Sequence, residues 1–212
     1  MAKKKAPTSG VIELTRMEDA VIEVPIIGLT PYIPHKWSTK VIGMLPGHPD
    51  AAKVKPTKGA HDPEKEAEGC LYRIGKKQLA APATAFKAAL VDACRFFKEP
   101  SMTEAKQLLF VDGEGVDQLV PIDCKELILR EDTPRNANGN PDLRYRYALH
   151  GWSAVLRVRY VPIRLSRESV VALVDAGGRG GIGDWRPSAP KSKTGTYGTW
   201  RVDPDREVRD AK

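Results

Sequence analysis

No stretch of the chain approaches the roughly 20 consecutive apolar residues that a membrane-spanning helix needs, and Met1 runs straight into Lys3, Lys4 and Lys5 with no apolar run behind them such as a secretory leader carries. Cysteine is scarce. Cys70, Cys94 and Cys124 are the whole complement, odd in number, widely spaced and without a CxxC pair, which speaks against a disulfide framework and a zinc site. The four histidines, His35, His48, His61 and His150, have no metal-ligand spacing, and a G-x-x-x-x-G-K-[ST] phosphate loop is missing. These absences lead us to expect a cytoplasmic protein with no membrane partner and no metal or other cofactor. Acidic residues are the minority: 27 Asp and Glu stand against 34 Lys and Arg, a formal net charge of +7. That balance favours a polyanionic partner, with nucleic acid the first suspect and anionic lipid the second. At 212 residues the chain can bury a sizeable core as one domain carrying long insertions.

What is present reads in order. Residues 1–19 suggest a flexible basic arm, with an apolar patch at Val11 to Leu14 that could add as a strand to a partner. "AVIEVPIIGLTPYIPHKW" (20–37) is rich in Val and Ile, and Pro25, Pro31 and Pro34 exclude a long helix, so a strand is expected at about 20–29. From Gly43 to Glu68 the composition is that of a long solvent-exposed insertion. Pro82 precedes "ATAFKAALVDACRFFK", where Phe86, Ala89, Leu90, Ala93, Cys94 and Phe97 recur at helical spacing. "LLFVDGEGVDQLVPI" reads as a hairpin about Asp112 to Gly115. A second hairpin is expected about His150-Gly151, which would set Leu149 opposite Trp152, Tyr145 opposite Leu156 and Arg144 opposite Arg157. Ser166 caps a last helix that Gly177-Gly178 would stop, and "GTWRV" supplies a final strand before a polar tail at 204–212. The order predicts an α+β fold, a ferredoxin-like or RRM-like βαββαβ core over 20–203 with a long basic insertion and a C-terminal glycine-rich loop at 177–199.

The chemistry concentrates in two places. Arg144, Arg146, Arg157 and Arg159 would share one face of the expected hairpin without an interleaved carboxylate, which suits phosphate contact. The glycine-rich stretch has Gly178, Gly180 and Gly183 in G-x-G-x-x-G spacing, but a helix precedes it and Asp184-Trp185-Arg186-Pro187 follows, the wrong context for a dinucleotide fingerprint. Its glycines could let backbone amides approach phosphate. Arg179, Arg186, Lys191 and Lys193 would supply charge, and Trp185 and Tyr197 stacking surfaces. His35, Lys36 and Trp37 lie just past the first strand as further candidates. His35 has the chemistry of a general base but no paired nucleophile, so no catalytic constellation emerges. Asp112, Glu114, Asp117 and Asp132 are the carboxylates a metal-dependent nuclease would draw on.

"GGIGDWRPSAPKSKTGTYGTWRV" on such a skeleton resembles the glycine-rich ending of the RAMP superfamily, particularly the backbone subunits of CRISPR effector complexes. "VPIIGLTPYIPHKWS" and the "DWRP…YGTW" ending also look like small phage or prophage proteins. The resemblance implies a non-catalytic subunit that polymerises along single-stranded RNA or DNA as a filament or ring, with the 43–68 insertion as a thumb. A phage structural or assembly protein, and a nuclease, are the competing expectations.

Overall fold

The computed structural model describes residues 16–37, 42, 43, 47, 49, 62–134, 139–190 and 193–211. Most of the expected arm and most of the expected thumb therefore lie outside the described residues, as does Lys191. The chain is α+β. Its elements are β1 (Ala20–Gly28), α1 (Pro63–Gly69), β2 (Tyr72–Ile74), β3 (Gln78–Pro82), α2 (Ala83–Ala93) with a 3-10 turn at Cys94–Phe96, α3 (Met102–Leu108), β4 (Leu109–Asp112), β5 (Leu119–Ile122), β6 (Glu126–Asp132), β7 (Arg144–His150), β8 (Ser153–Tyr160), α4 (Arg167–Gly180), β9 (Trp200–Val202) and β10 (Arg209–Asp210).

The main sheet has β9 and β10 side by side along one edge of β1, β8 along its other edge, and β4 outside β8, all antiparallel. Taking β1, α2, β4, β8, α4 and β9 in turn gives the βαββαβ plan with its fourth, first, third and second strands in spatial order. Ile22, Val24 and Ile26 of β1 and Ala154, Leu156, Val158 and Tyr160 of β8 point into the core, where α2 contributes Phe86 and Leu90 and α4 contributes Val170, Leu173 and Val174. Pro25 stands inside this central strand at no loss of pairing. Its carbonyl accepts from Asp203 N at 2.9 Å, so its missing N–H would point to the same edge, in the gap between β10 at Ile22–Glu23 and β9 at Ile26–Gly28.

Several elements depart from the sequence reading. The expected 143–160 hairpin does not form: β7 pairs with β6, whereas β8 leaves it at Gly151 to lie between β1 and β4. The 109–122 hairpin shrinks to a bridge between Glu114 and Leu119, because β4 joins the main sheet and β5 joins β3. In both cases one strand of the expected pair is taken up by the main sheet, β8 between β1 and β4 and β4 beside β8, and the other finds its partner in a separate, smaller sheet. Within residues 204–212, expected as a polar tail, Arg209–Asp210 return to β1 as β10. The end of the expected loop is helix α1, opened by the Asp62 side chain accepting from Lys65 N at 3.2 Å with Pro63 in the first turn. Phe97, expected inward, is 41% exposed because α2 has already given way to the 3-10 turn. Helix α4 runs past Gly177-Gly178 to Gly180. A Cβ on Gly178 would sit 1.9 Å from the Trp200 carbonyl oxygen, so that glycine lets helix and strand pack backbone to backbone and does not end the helix.

Candidate nucleic-acid interface

Past α4 the glycine-rich stretch is a closed loop laid on the C-terminal end of β1. Gly181 N bonds back to Gly177 O, Ile182 N to Gly198 O, Gly198 N to Pro31 O and Asp184 N to Ile33 O, at 2.8–3.3 Å. These amides are spent on closing the loop and tying it to the segment after β1, contrary to the expectation that they would be offered to phosphate. The glycines serve proximity. Gly198 has φ +68 and a Cβ there would lie 1.9 Å from Ile182 O; Gly183 has φ +77 and would meet Ile33 O at 2.4 Å. Beneath the loop a chain of buried rings, Tyr32, Trp152, Trp200 and Phe86, fills the core with centroids 5.5–6.4 Å apart. Trp152 Nε1 donates to Thr30 O and Trp200 Nε1 to Val174 O, so neither indole N–H is buried unpaired.

Three arginines clamp this loop, and two of them were expected to contact nucleic acid, Arg146 from the arginine face and Arg186 from the loop. Arg146 is 2% exposed and pairs with the Asp184 carboxylate, which also meets His35 Nδ1 at 3.0 Å. Burial alone would push the Asp184 carboxyl up, but the His35 hydrogen bond and the Arg146 and Arg144 charges together hold it below the usual aspartate value. Arg186 turns inward, donating from Nη1 to Gly183 O at 2.9 Å and from Nε to Ser188 Oγ at 3.2 Å. Arg130, unnoticed in the sequence, binds Asp132 at 2.8 Å, donates to the Tyr197 hydroxyl at 3.0 Å and lies 5.7 and 5.0 Å from the Trp185 and Tyr197 ring centres. Those two rings are themselves in contact at 6.1 Å, and Trp185 has φ +55, a conformation that costs a bulky residue energy and that the surrounding bonds enforce. A spacing argument could not have found Arg130, since β6 carries it from another sheet.

The remaining candidates divide. Lys36, Trp37, Arg179 and Lys193 are exposed, Trp37 at 51%. Lys36 and Trp37 follow His35 directly, Arg179 sits in the last turn of α4, and Lys193 is two residues from Gly195, which packs on the Arg186 carbonyl. Arg144 is half-buried against Asp142 at 2.7 Å. Arg157 and Arg159 lie on the sheet face opposite the helices, where carboxylates do interleave: Arg157 meets Glu23 at 3.1 Å, and Arg159 meets Asp19 and Asp112 at 3.2 and 3.3 Å. The expected single arginine face is thus corrected to two surfaces, because β7 and β8 belong to different sheets. Beside the loop, a cleft of about 280 Å³ opens between α2 and Gly181–Ser188, lined by Tyr32, His35, Tyr72, Asp184 and Arg186 among others. Burial pushes the Tyr32 phenol well up, with Tyr72 and Asp184 adding to it, and burial likewise raises Tyr72, whose hydroxyl donates to the His35 carbonyl at 3.4 Å. Among the described residues no three His, Cys, Asp or Glu side chains gather as a metal site, and no helix is long and apolar enough to cross a membrane.

No family model and no curated protein matches this chain. Among solved structures it is similar to one chain in the cryo-EM structure of the Type III-B Cmr-beta bound to cognate target RNA, at 12% identity and a TM-score of 0.49. The match covers 92% of this chain and 61% of that one, so the protein spans about three fifths of that neighbour's length. The chemistry of the site has to come from its own residues.

Proposed function

We propose that this chain is a non-catalytic, RAMP-like protein of the cytoplasm that binds single-stranded nucleic acid, RNA before DNA, and associates with copies of itself along the strand. The observation that carries the reading is the glycine-rich stretch folded into a clamped loop with Lys36, Trp37, Arg179 and Lys193 exposed around it. A clamped platform with exposed cations and an accessible indole at its rim is what a strand without fixed sequence needs. The clamps keep the platform in shape: buried Arg146 and half-buried Arg186 and Arg130 are occupied by protein groups and would act through position. At about 280 Å³ the cleft is below the roughly 300–1,000 Å³ typical of cofactor pockets and is of a size for a single base. RNA is preferred on the resemblance of the loop sequence to the RAMP ending. His35, held by Asp184, is read as part of the loop's anchorage.

The test is to purify the protein at moderate salt, read absorbance at 260 and 280 nm, and treat the co-purified material with RNase or DNase. Nucleic acid lost to RNase alone, leaving smaller particles, is the expected result. Clean protein that still forms large particles would overturn the binding reading in favour of a structural protein. Added RNA is expected to survive incubation at full length; cleavage that disappears with His35→Ala would overturn the non-catalytic part.

A further inference from the structure

β6 is an unusual strand to leave at an edge. Among the described residues it has a backbone partner on one side only, β7, and its sequence, Glu-Leu-Ile-Leu-Arg-Glu-Asp, puts three large apolar residues in a row at that edge. Leu127, Ile128 and Leu129 are 37, 38 and 41% exposed. Proteins usually blunt such an edge with charge, proline or a covering segment, because its unpaired amides and carbonyls recruit another strand.

We propose that this edge receives residues 10–15 of a second copy of the chain as an added strand. "GVIELT" has the complementary character: Ile12 and Leu14 fall on one face of an extended segment, as Leu127 and Leu129 do on β6, so the two pairs can meet across the junction. The charges match as well, since exposed Glu126 and Glu131 flank the apolar run of β6, whereas Lys3, Lys4, Lys5 and Arg16 flank that of the arm.

Placement decides between self and neighbour. The arm leaves at the Ala20 end of β1, where Asp19 is held by Arg159 and Ala20 lies opposite Tyr160. β6 starts from the other end: Lys125 N bonds His150 O, Asp123 bridges Ser153, and Ser153 lies opposite Ile27. The nine-residue β1 therefore separates donor and acceptor by roughly 26 Å at about 3.3 Å per residue. A donor at one end and an acceptor at the other make a head-to-tail contact, which propagates as a filament or closes as a ring. The inference rests on the self-association in the function proposed above and not on its nucleic acid.

The test is a complementation experiment on full-length, nuclease-treated protein by analytical ultracentrifugation. Ile12→Pro with Leu14→Pro removes strand donors from the arm and leaves its lysines. Leu127→Lys with Leu129→Lys blocks the edge at two exposed positions, and Ile128→Lys is a second edge variant should that pair fail to fold; thermal unfolding checks each. The wild type is expected to self-associate, and each variant to stay monomeric. An equal mixture of an arm variant and an edge variant is expected to stop at twice the 23.3 kDa of one chain, because one intact arm and one intact edge remain per pair. A wild type that stays monomeric, as it would with each arm on its own β6, overturns the proposal, as do variants that assemble like the wild type or a mixture that does not pair. Binding of a short single-stranded RNA is measured on the same variants. Binding that persists while assembly fails to follow this pattern sinks only the strand exchange, and arm-dependent assembly without RNA binding sinks only the nucleic-acid reading.

Discussion

Arg146 and Arg157 look alike in the sequence, each set between apolar residues on an alternating strand, yet they do opposite work. The Arg146 side chain is 3% exposed and neutralises an aspartate that anchors the glycine loop, whereas that of Arg157 is 49% exposed and shares a solvated pair with Glu23. The first is a clamp whose removal strands a charge. The second is an exchangeable pair on an open sheet. The loop region spends its cations on shape and leaves only its rim free, and the sheet face spends its cations on surface ion pairs, so the rim is where a polyanion meets the least competition.

Several substitutions would break or sharpen this contrast. Arg146→Ala is expected to cost about 3 kcal/mol in denaturant unfolding, because Asp184 loses its buried partner. The same site sets a pH dependence. Asp184 is held below its usual value in the folded chain, so its contribution is present above the unfolded carboxylate pKa and lost as pH falls through the lower folded value. A melt series below about pH 4 should therefore show a steeper loss in the wild type than in Asp184→Asn. Gly198→Ala is expected to cost at least about 2 kcal/mol, since it combines a positive φ with a clash against Ile182 O, and to loosen the loop by hydrogen exchange. Tyr197→Phe removes one bond to Arg130 and keeps the ring contacts, for about 1 kcal/mol. Smallest of all, Arg157→Ala should change stability by no more than about 0.5 kcal/mol, as exposed pairs do. Equal costs at Arg146 and Arg157 would erase the distinction between the two regions.

Much of the core was legible in the sequence because its signals are local. Val and Ile broken by proline marked β1, Pro82 and a 3.6-residue period marked α2, and Ser166, whose hydroxyl accepts from Ser169 N at 3.1 Å, marked the start of α4. The pairing of β7 with β6 was not legible, since alternation tells which side chains share a face of one strand and says nothing of which strand lies beside it. A short turn at His150-Gly151 looked like a hairpin, but Trp152 is drawn into the core against Gly28, and β8 follows it into the other sheet. The glycine loop was found as a place and misread as a mechanism. A glycine that offers its amide and a glycine that makes room for a carbonyl are identical in sequence, and only the neighbours at 1.9 and 2.4 Å tell them apart. The hairpin β2–β3 went unnoticed although Gly75 at φ +62, followed by Lys76 and Lys77, is a turn signal between short apolar runs.

The most direct measurement is fluorescence anisotropy of a labelled single-stranded RNA across a salt series, comparing Lys36→Ala/Trp37→Ala/Lys193→Ala at the loop rim with Arg157→Ala/Arg159→Ala on the sheet face. The rim variant is expected to bind at least about tenfold more weakly and with a shallower salt slope, from two lost phosphate contacts and one lost stacking surface, and the sheet-face variant to bind like the wild type. Loss of binding in the sheet-face variant with the rim variant unaffected, or no binding by the wild type at low salt, would contradict the account.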